Sequence, residues 1–237
     1  MSNHVQEPRH VIPSACCSVD DDPAAQSWND WFLVANAVIQ AAQIEFAVDA
    51  EMINVLPGDH YRLIGGLIRC LRPKKLVDIG TAQGISARVM CDVAPLEANV
   101  STFDIIPWDN KEAFPKTYVT EDDFASKKLI QYTEDLKNPS VFQKYLPLLN
   151  SAEFIMLDGP KDGQFEWILA RLMAENLKPA EKGARFLFID DIRFENMLGL
   201  WRMIASPKID LTSFGHFSGS GLVDITEGLD LVNITPS

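Results

Sequence analysis

The chain has 237 residues, 47% of them hydrophobic and 23% charged, with a formal net charge of −12. That size suits one sizeable core rather than two, and the acidic balance without a basic run excludes a surface that tracks nucleic-acid or membrane phosphates. No stretch reaches the roughly 18 continuous apolar residues of a membrane span. The first 23 residues hold Pro8, Pro13 and Pro23 and no signal-peptide core, so a cytoplasmic protein is expected. Cys16, Cys17, Cys70 and Cys91 form no CxxC pair, which points to reduced thiols rather than a disulfide frame or a zinc site.

Residues 1–25 read as a flexible tail, and 26–237 as a single domain whose opening part, 26–72, is helical. Ser27 followed by Asp30 resembles a capping box, and helix formers run from Trp28 to about Ala50. NVLPGD (54–59) is a turn, and a second helix over 60–71 closes before Pro73. Apolar strands then alternate with helices. LVDIG (76–80), VSTFDII (100–106), KKLIQY (127–132), EFIMLD (153–158) and ARFLFIDD (184–191) are strands. Helices are expected at 86–93, 141–149, 164–177 and 194–204. Residues 211–216, the turn SGSG (218–221) and 222–225 read as a closing β-hairpin. Strands that are apolar throughout and separated by helices predict an α/β fold. The sheet is mostly parallel and doubly wound, with a C-terminal antiparallel hairpin. Ligands of such sheets sit beyond the carboxyl ends of the strands.

Chemistry-bearing residues stand at those ends. Gly80 and Gly84 frame a strand-to-helix turn where backbone can approach a ligand and a helix N-terminus can meet an anion. A dinucleotide fingerprint needs further glycines where this chain has Ala82 and Ile85, which weighs against an NAD-linked oxidoreductase. Asp104, ending the second strand, is placed to accept the hydroxyls of a ribose. Asp158, Asp190 and Asp191 end two strands expected to be neighbours, and like charges gathered there repel unless a cation lies between them. Oxygen donors without His or Cys suit Mg²⁺ or another hard divalent ion. Helix capping is the plainer role for Asp158 and Asp191. His60 and His216 read as structural residues, His60 being the nearer to the expected site. Trp28 and Trp31 read as packing that could also cover it.

VDIGTAQGISA (77–87) resembles motif I of class I S-adenosylmethionine-dependent methyltransferases, in the G-x-x-x-G-x-S form of catechol O-methyltransferase-like enzymes. The likeness runs from about Asn54 to Asp191 and includes Asp104, Pro107 and LDGPKD (157–162). It implies a seven-stranded Rossmann-like sheet. It implies that Gly80, Gly84 and Ser86, with Asp78 and Thr81 of the same motif, hold the methionine end of the cofactor. Asp104 would hold the ribose, and Thr133 and Glu134 would lie near the adenine. It assigns Asp158, Asp190 and Asp191 to a divalent metal, and Lys161, beside Asp158, to the base that takes a hydroxyl proton. The Asp-Asp pair is similar to that of macrocin-type sugar O-methyltransferases. The expected activity is methyl transfer to a hydroxyl of a small molecule with metal assistance. The alternatives are metal-independent N- or C-methyl transfer, and a non-catalytic cofactor-binding protein.

Overall fold

The computed structural model describes residues 30–45, 60–126, 128–215 and 217–232. Ser27, Trp28, the 54–59 turn, Cys16, Cys17 and His216 lie outside them. Two helices come first, α1 (Trp31–Ala42) and α2 (His60–Leu71). Then follow β1 (Lys75–Ile79), α3 (Ile85–Val93), β2 (Asn99–Phe103), α4 (Glu121–Ala125), β3 (Leu129–Tyr132), α5 (Pro139–Ser151) and β4 (Phe154–Leu157). The chain continues through α6 (Phe165–Asn176), β5 (Phe186–Asp190), α7 (Glu195–Met203), β6 (Lys208–Asp210) and β7 (Ser220–Asp224).

The strands form one seven-stranded sheet in the order β3-β2-β1-β4-β5-β7-β6. β1 to β5 are parallel, while β7 runs antiparallel to both β5 and β6. Side chains alternate across the sheet. Leu76, Phe154, Met156, Phe186 and Phe188 join one apolar layer with α2 and α3. Val77, Ile79, Ile155, Leu157, Leu187 and Ile189 join the other with α6 and α7. Burial on both faces explains why these strands read as unbroken apolar runs. The same sheet brings the carboxyl ends of β2, β1, β4 and β5 to one rim.

Three boundaries differ from the sequence expectation. Helix α1 begins at Trp31, and Asp30 is itself the cap, its Oδ1 accepting the Leu33 N–H at 2.9 Å. The first hairpin strand is Lys208–Asp210, not 211–216, and Thr212–Phe214 form a turn. Lys208 hid it: a lysine inside a short run reads as loop, yet here it is fully buried and donates to the Trp201 and Ile204 carbonyls at the end of α7. Helix α4 was not foreseen. Its capping box, Thr120 with Asp123, holds a five-residue helix too short to show a period. Among the described residues no helix is long and apolar enough to cross a membrane.

Candidate active site

The turn after β1 is built on left-handed backbone. Gly80 has φ +113°, Ala82 +43°, and Gly84, capping α3, +82°. A Cβ on Gly80 would sit inside the van der Waals radius of the Asp158 carbonyl oxygen, so the glycine turn lies directly against the end of β4. A Cβ on Gly84 would meet Val119 Cγ2 at 2.6 Å. Asp104 bridges this turn to the next loop. Its Oδ2 accepts the Ala82 N–H at 2.8 Å and its Oδ1 the Ile106 N–H at 3.0 Å. Each oxygen keeps a second lone pair for another donor.

Beneath the turn lies a polar chain. Thr102 Oγ1 donates to Asp78 Oδ2 at 2.7 Å and lies 2.7 Å from Thr81 Oγ1. Asp78 is fully buried. Burial pushes its carboxyl up to about 7, against the hydroxyls of Thr102 and Ser86, which pull it down. Asp78 therefore shapes the turn from below, through Thr102 and Ser86. Its folded pKa is above its unfolded value, so between them the unfolded chain has shed a proton that the folded one keeps. Stability must then fall as pH rises from about 4 to about 7. Asp78→Asn is expected to flatten urea-unfolding stability over that window and to be the more stable form at pH 8. A variant with the wild-type slope would remove this assignment.

At the carboxyl ends of β4 and β5, Asp158, Asp190 and Asp191 each offer an oxygen within 4.8 Å of the others. Lys161, 2% exposed, reaches all three. Its Nζ contacts Asp158 Oδ1 and lies 3.3 Å from Asp191 Oδ2 and 4.0 Å from Asp190 Oδ2. Burial works to lower the Lys161 pKa, but the carboxylates, Asp158 foremost, outweigh it and raise it well above the ordinary value. A general base at neutral pH needs a lowered pKa, and the carboxylates that surround this ammonium act the other way. Asp191 also accepts from the Ser218 hydroxyl. Asp190 Oδ1 is buried without a hydrogen-bond partner among the described residues, and burial followed by its acidic neighbours holds that carboxyl well above the usual range. Counted as fully ionised, three carboxylates and one ammonium would leave this cluster two charges negative.

Two backbone positions here are left-handed without being glycine, Lys161 at φ +52° and Asp191 at +60°. Such residues persist only where surroundings fix them. Glu166 does so for Lys161: fully buried on the first turn of α6, its Oε1 accepts the Lys161 N–H at 2.8 Å. Asn196 Nδ2 donates to the Lys161 carbonyl at 3.2 Å. Sequence reasoning missed Glu166, although an acid in the first turn after DGPKDGQ was a visible sign. It also missed Tyr61 on α2. That phenol is buried, and burial followed by Asp158 and Asp190 raises its pKa, which puts it in the field of the acidic cluster.

The two residues expected near an adenine are less engaged. Thr133 is exposed, and Glu134 is turned to α5, where its Oε1 accepts from Lys144 Nζ at 2.6 Å. That hydrogen bond lowers the Glu134 pKa. His60 is buried against Tyr61, ring centroids 3.9 Å apart, as a structural residue would be. Trp31 is exposed rather than packed.

Solved structures share this architecture. The methyltransferase PaMTH1 of Podospora anserina, with S-adenosylhomocysteine bound, aligns at a TM-score of 0.50 and 14% identity, over 96% of this chain and 92% of that one. Cofactor-bound Rv0187 from MTB aligns at 0.49 and 15%, over 84% and 91%. The O-methyltransferase TomG of Streptomyces achromogenes, in complex with S-adenosylmethionine, aligns at 0.47 and 15%, over 84% and 91%. No family model and no curated protein sequence matches the chain. At such identities the likeness is one of fold: the protein has the doubly wound α/β fold of class I methyltransferases.

Proposed function

We propose that the protein transfers the methyl group of S-adenosylmethionine to a hydroxyl of a small molecule. The observation that carries this is the packing of Gly80 on the Asp158 peptide, which sets the cofactor-type turn against the acidic cluster. A donor held by the turn and an acceptor held at the cluster would then be neighbours, and alignment of two bound reactants supplies much of such a rate. The shared fold of an S-adenosylhomocysteine-bound methyltransferase supports the same reading. In the reaction the hydroxyl oxygen bonds to the methyl carbon, the carbon–sulfur bond breaks with its electron pair going to sulfur, and the hydroxyl proton leaves.

Gly80, Gly84 and Ser86 would receive the methionine end at the positive N-terminus of α3. Asp104 would accept from the ribose hydroxyls with its remaining lone pairs, and Thr133 and Glu134 would border the adenine. Asp158, Asp190 and Asp191 fit a divalent cation. Their donors are hard oxygens, one of them buried and unpartnered among the described residues, and the cluster, counted as fully ionised, would be two charges negative. A cation there would acidify a coordinated hydroxyl. Lys161 would take the proton, which requires its three ion pairs to loosen first. A second reading has its own observation: the Lys161 ammonium already contacts all three carboxylates, as a built-in counter-ion for metal-free transfer. The unpaired thiols of Cys70 and Cys91 suit a reducing, cytoplasmic setting for a single domain over 26–237 that follows a tail.

Isothermal titration with S-adenosylhomocysteine, with and without Mg²⁺, tests both readings. Saturable binding is expected, and Asp104→Ala should weaken it by about 1.5–3 kcal/mol through lost charged hydrogen bonds. Mg²⁺ should raise the melting temperature and EDTA reverse the rise. Absence of S-adenosylhomocysteine binding overturns the activity. Binding without any Mg²⁺ effect selects the metal-free reading.

A further inference from the structure

The opposite end of the strands holds a cavity of about 750 Å³. It lies where β1, β4 and β5 begin, a full strand length from the acidic cluster. Arg185, just before β5, forms part of its wall and is 1% exposed. Its Nη2 donates to the Lys178 carbonyl at 2.7 Å, while Nε and Nη1 are buried with no hydrogen-bond partner among the described residues. A buried guanidinium with most of its donors unmet is an unfinished arrangement, and burial lowers its pKa accordingly.

The charge around it has the sign an anion requires. Lys74, Lys75, Lys178 and Lys182 line the same cavity, so five cationic side chains face two acids, Glu153 and Glu181. Glu153 is already engaged by the backbone N–H groups of Lys74 and Lys75. Among the described residues, only Lys74 of these four lysines has an acidic side-chain contact, at 3.9 Å with exposed Glu97. In a chain of net charge −12 this local excess runs against the field of the whole molecule. The concave shape and acidic surroundings exclude a nucleic acid, which needs an extended basic track. Leu146 and Pro147 give one side of the cavity an apolar wall.

We propose that this cavity binds a small phosphate-bearing anion, held by Lys74, Lys75, Lys178 and Lys182 above the buried positive charge of Arg185. Ammonium groups bind phosphate as point charges, and a net excess of three positive charges suits a dianion better than a carboxylate. The site is separate from the methyl-transfer reading and stands without it.

The test is isothermal titration of the full chain with inorganic phosphate and with glucose 6-phosphate, against KCl at matched ionic strength. Saturable millimolar or tighter binding is expected, with KCl silent. Tighter binding of the sugar phosphate assigns the site to organic phosphates, and equal binding to the free ion. Lys178→Ser/Lys182→Ser changes two exposed residues and should weaken binding about tenfold without altering the melting temperature. Arg185→Gln removes the buried charge beneath the lysines and should weaken binding too, and if it fails to fold the lysine pair still decides. No heat beyond the salt control overturns the proposal. So does undiminished binding by the lysine pair, or displacement of phosphate by S-adenosylhomocysteine, which would put the anion at the other rim.

Discussion

Lys161→Met is expected to destabilise the protein in EDTA by about 3–5 kcal/mol, the usual cost of removing one partner from a buried ion pair. The substitution leaves Asp158, Asp190 and Asp191 within 4.8 Å of one another with no cation between them. Urea unfolding measures the loss. Mg²⁺ should restore most of it if the carboxylates bind metal, and none if Lys161 is their only counter-ion. The pH dependence carries a sign as well. The folded pKa of Lys161 is raised, so its contribution is complete below the unfolded lysine value of about 10.4 and is lost only as pH rises through the folded value. The deficit of the variant should thus be fully present at pH 7–8. At lower pH the variant should recover, because crowded carboxylates without the ammonium bind protons in the folded state. An unchanged unfolding midpoint in EDTA would mean that Lys161 is not the charge that holds this cluster.

Gly80→Ala should be still more damaging, at about 4 kcal/mol or more, with loss of S-adenosylhomocysteine binding in whatever folds. Two terms combine. The backbone there has φ +113°, and the new methyl would meet the Asp158 carbonyl, a backbone atom that cannot rotate away. Gly183→Ala separates them. Gly183 has φ +70° but nothing within 4 Å of an added Cβ, so only the backbone strain of about 1 kcal/mol applies. Thermal melts of the two variants side by side give the comparison. Similar midpoints would show that the turn has room to shift away from β4.

The strands that became the centre of the sheet were legible because burial on both faces leaves an unbroken apolar run: Phe154–Leu157 and Phe186–Asp190 have every residue buried. The ligand rim was legible for a related reason. Parallel strands end on one side, so Asp104, Asp158 and Asp190 had to share it wherever the pairing fell. What escaped was polar chemistry turned inward. Glu166, Lys161 and Lys208 are charged residues that sequence patterning assigns to solvent, yet each is buried: Glu166 on the Lys161 N–H, Lys161 on carboxylates at the end of β5, and Lys208 on carbonyls at the end of α7. Periodicity carries no record of such partners. Lys161 shows the consequence most clearly: its position beside Asp158 was readable, and its enclosure by a third and fourth charge from β5 was not. The engagement of Glu134 by Lys144 is of the same kind, since it depends on how α5 lies over the loop after β3.

The strand order has a consequence for how the chain is made. β1 pairs with β2 on one side and with β4 on the other, and Leu76 meets Phe154 only after β2, β3 and α5 have been synthesised. Until then a nascent β1-β2-β3 sheet presents the inner edge of β1 as a row of unmatched N–H and C=O groups flanked by Leu76, Val77 and Ile79. An open apolar edge is a template for pairing with another chain. Closure by β4 therefore covers this edge and sets Asp158 against the Gly80 turn, and β5 then completes the rim with Asp190 and Asp191. Contacts this distant in sequence make assembly slow, so ligand binding at the rim reports that the most exposed stage of folding is over.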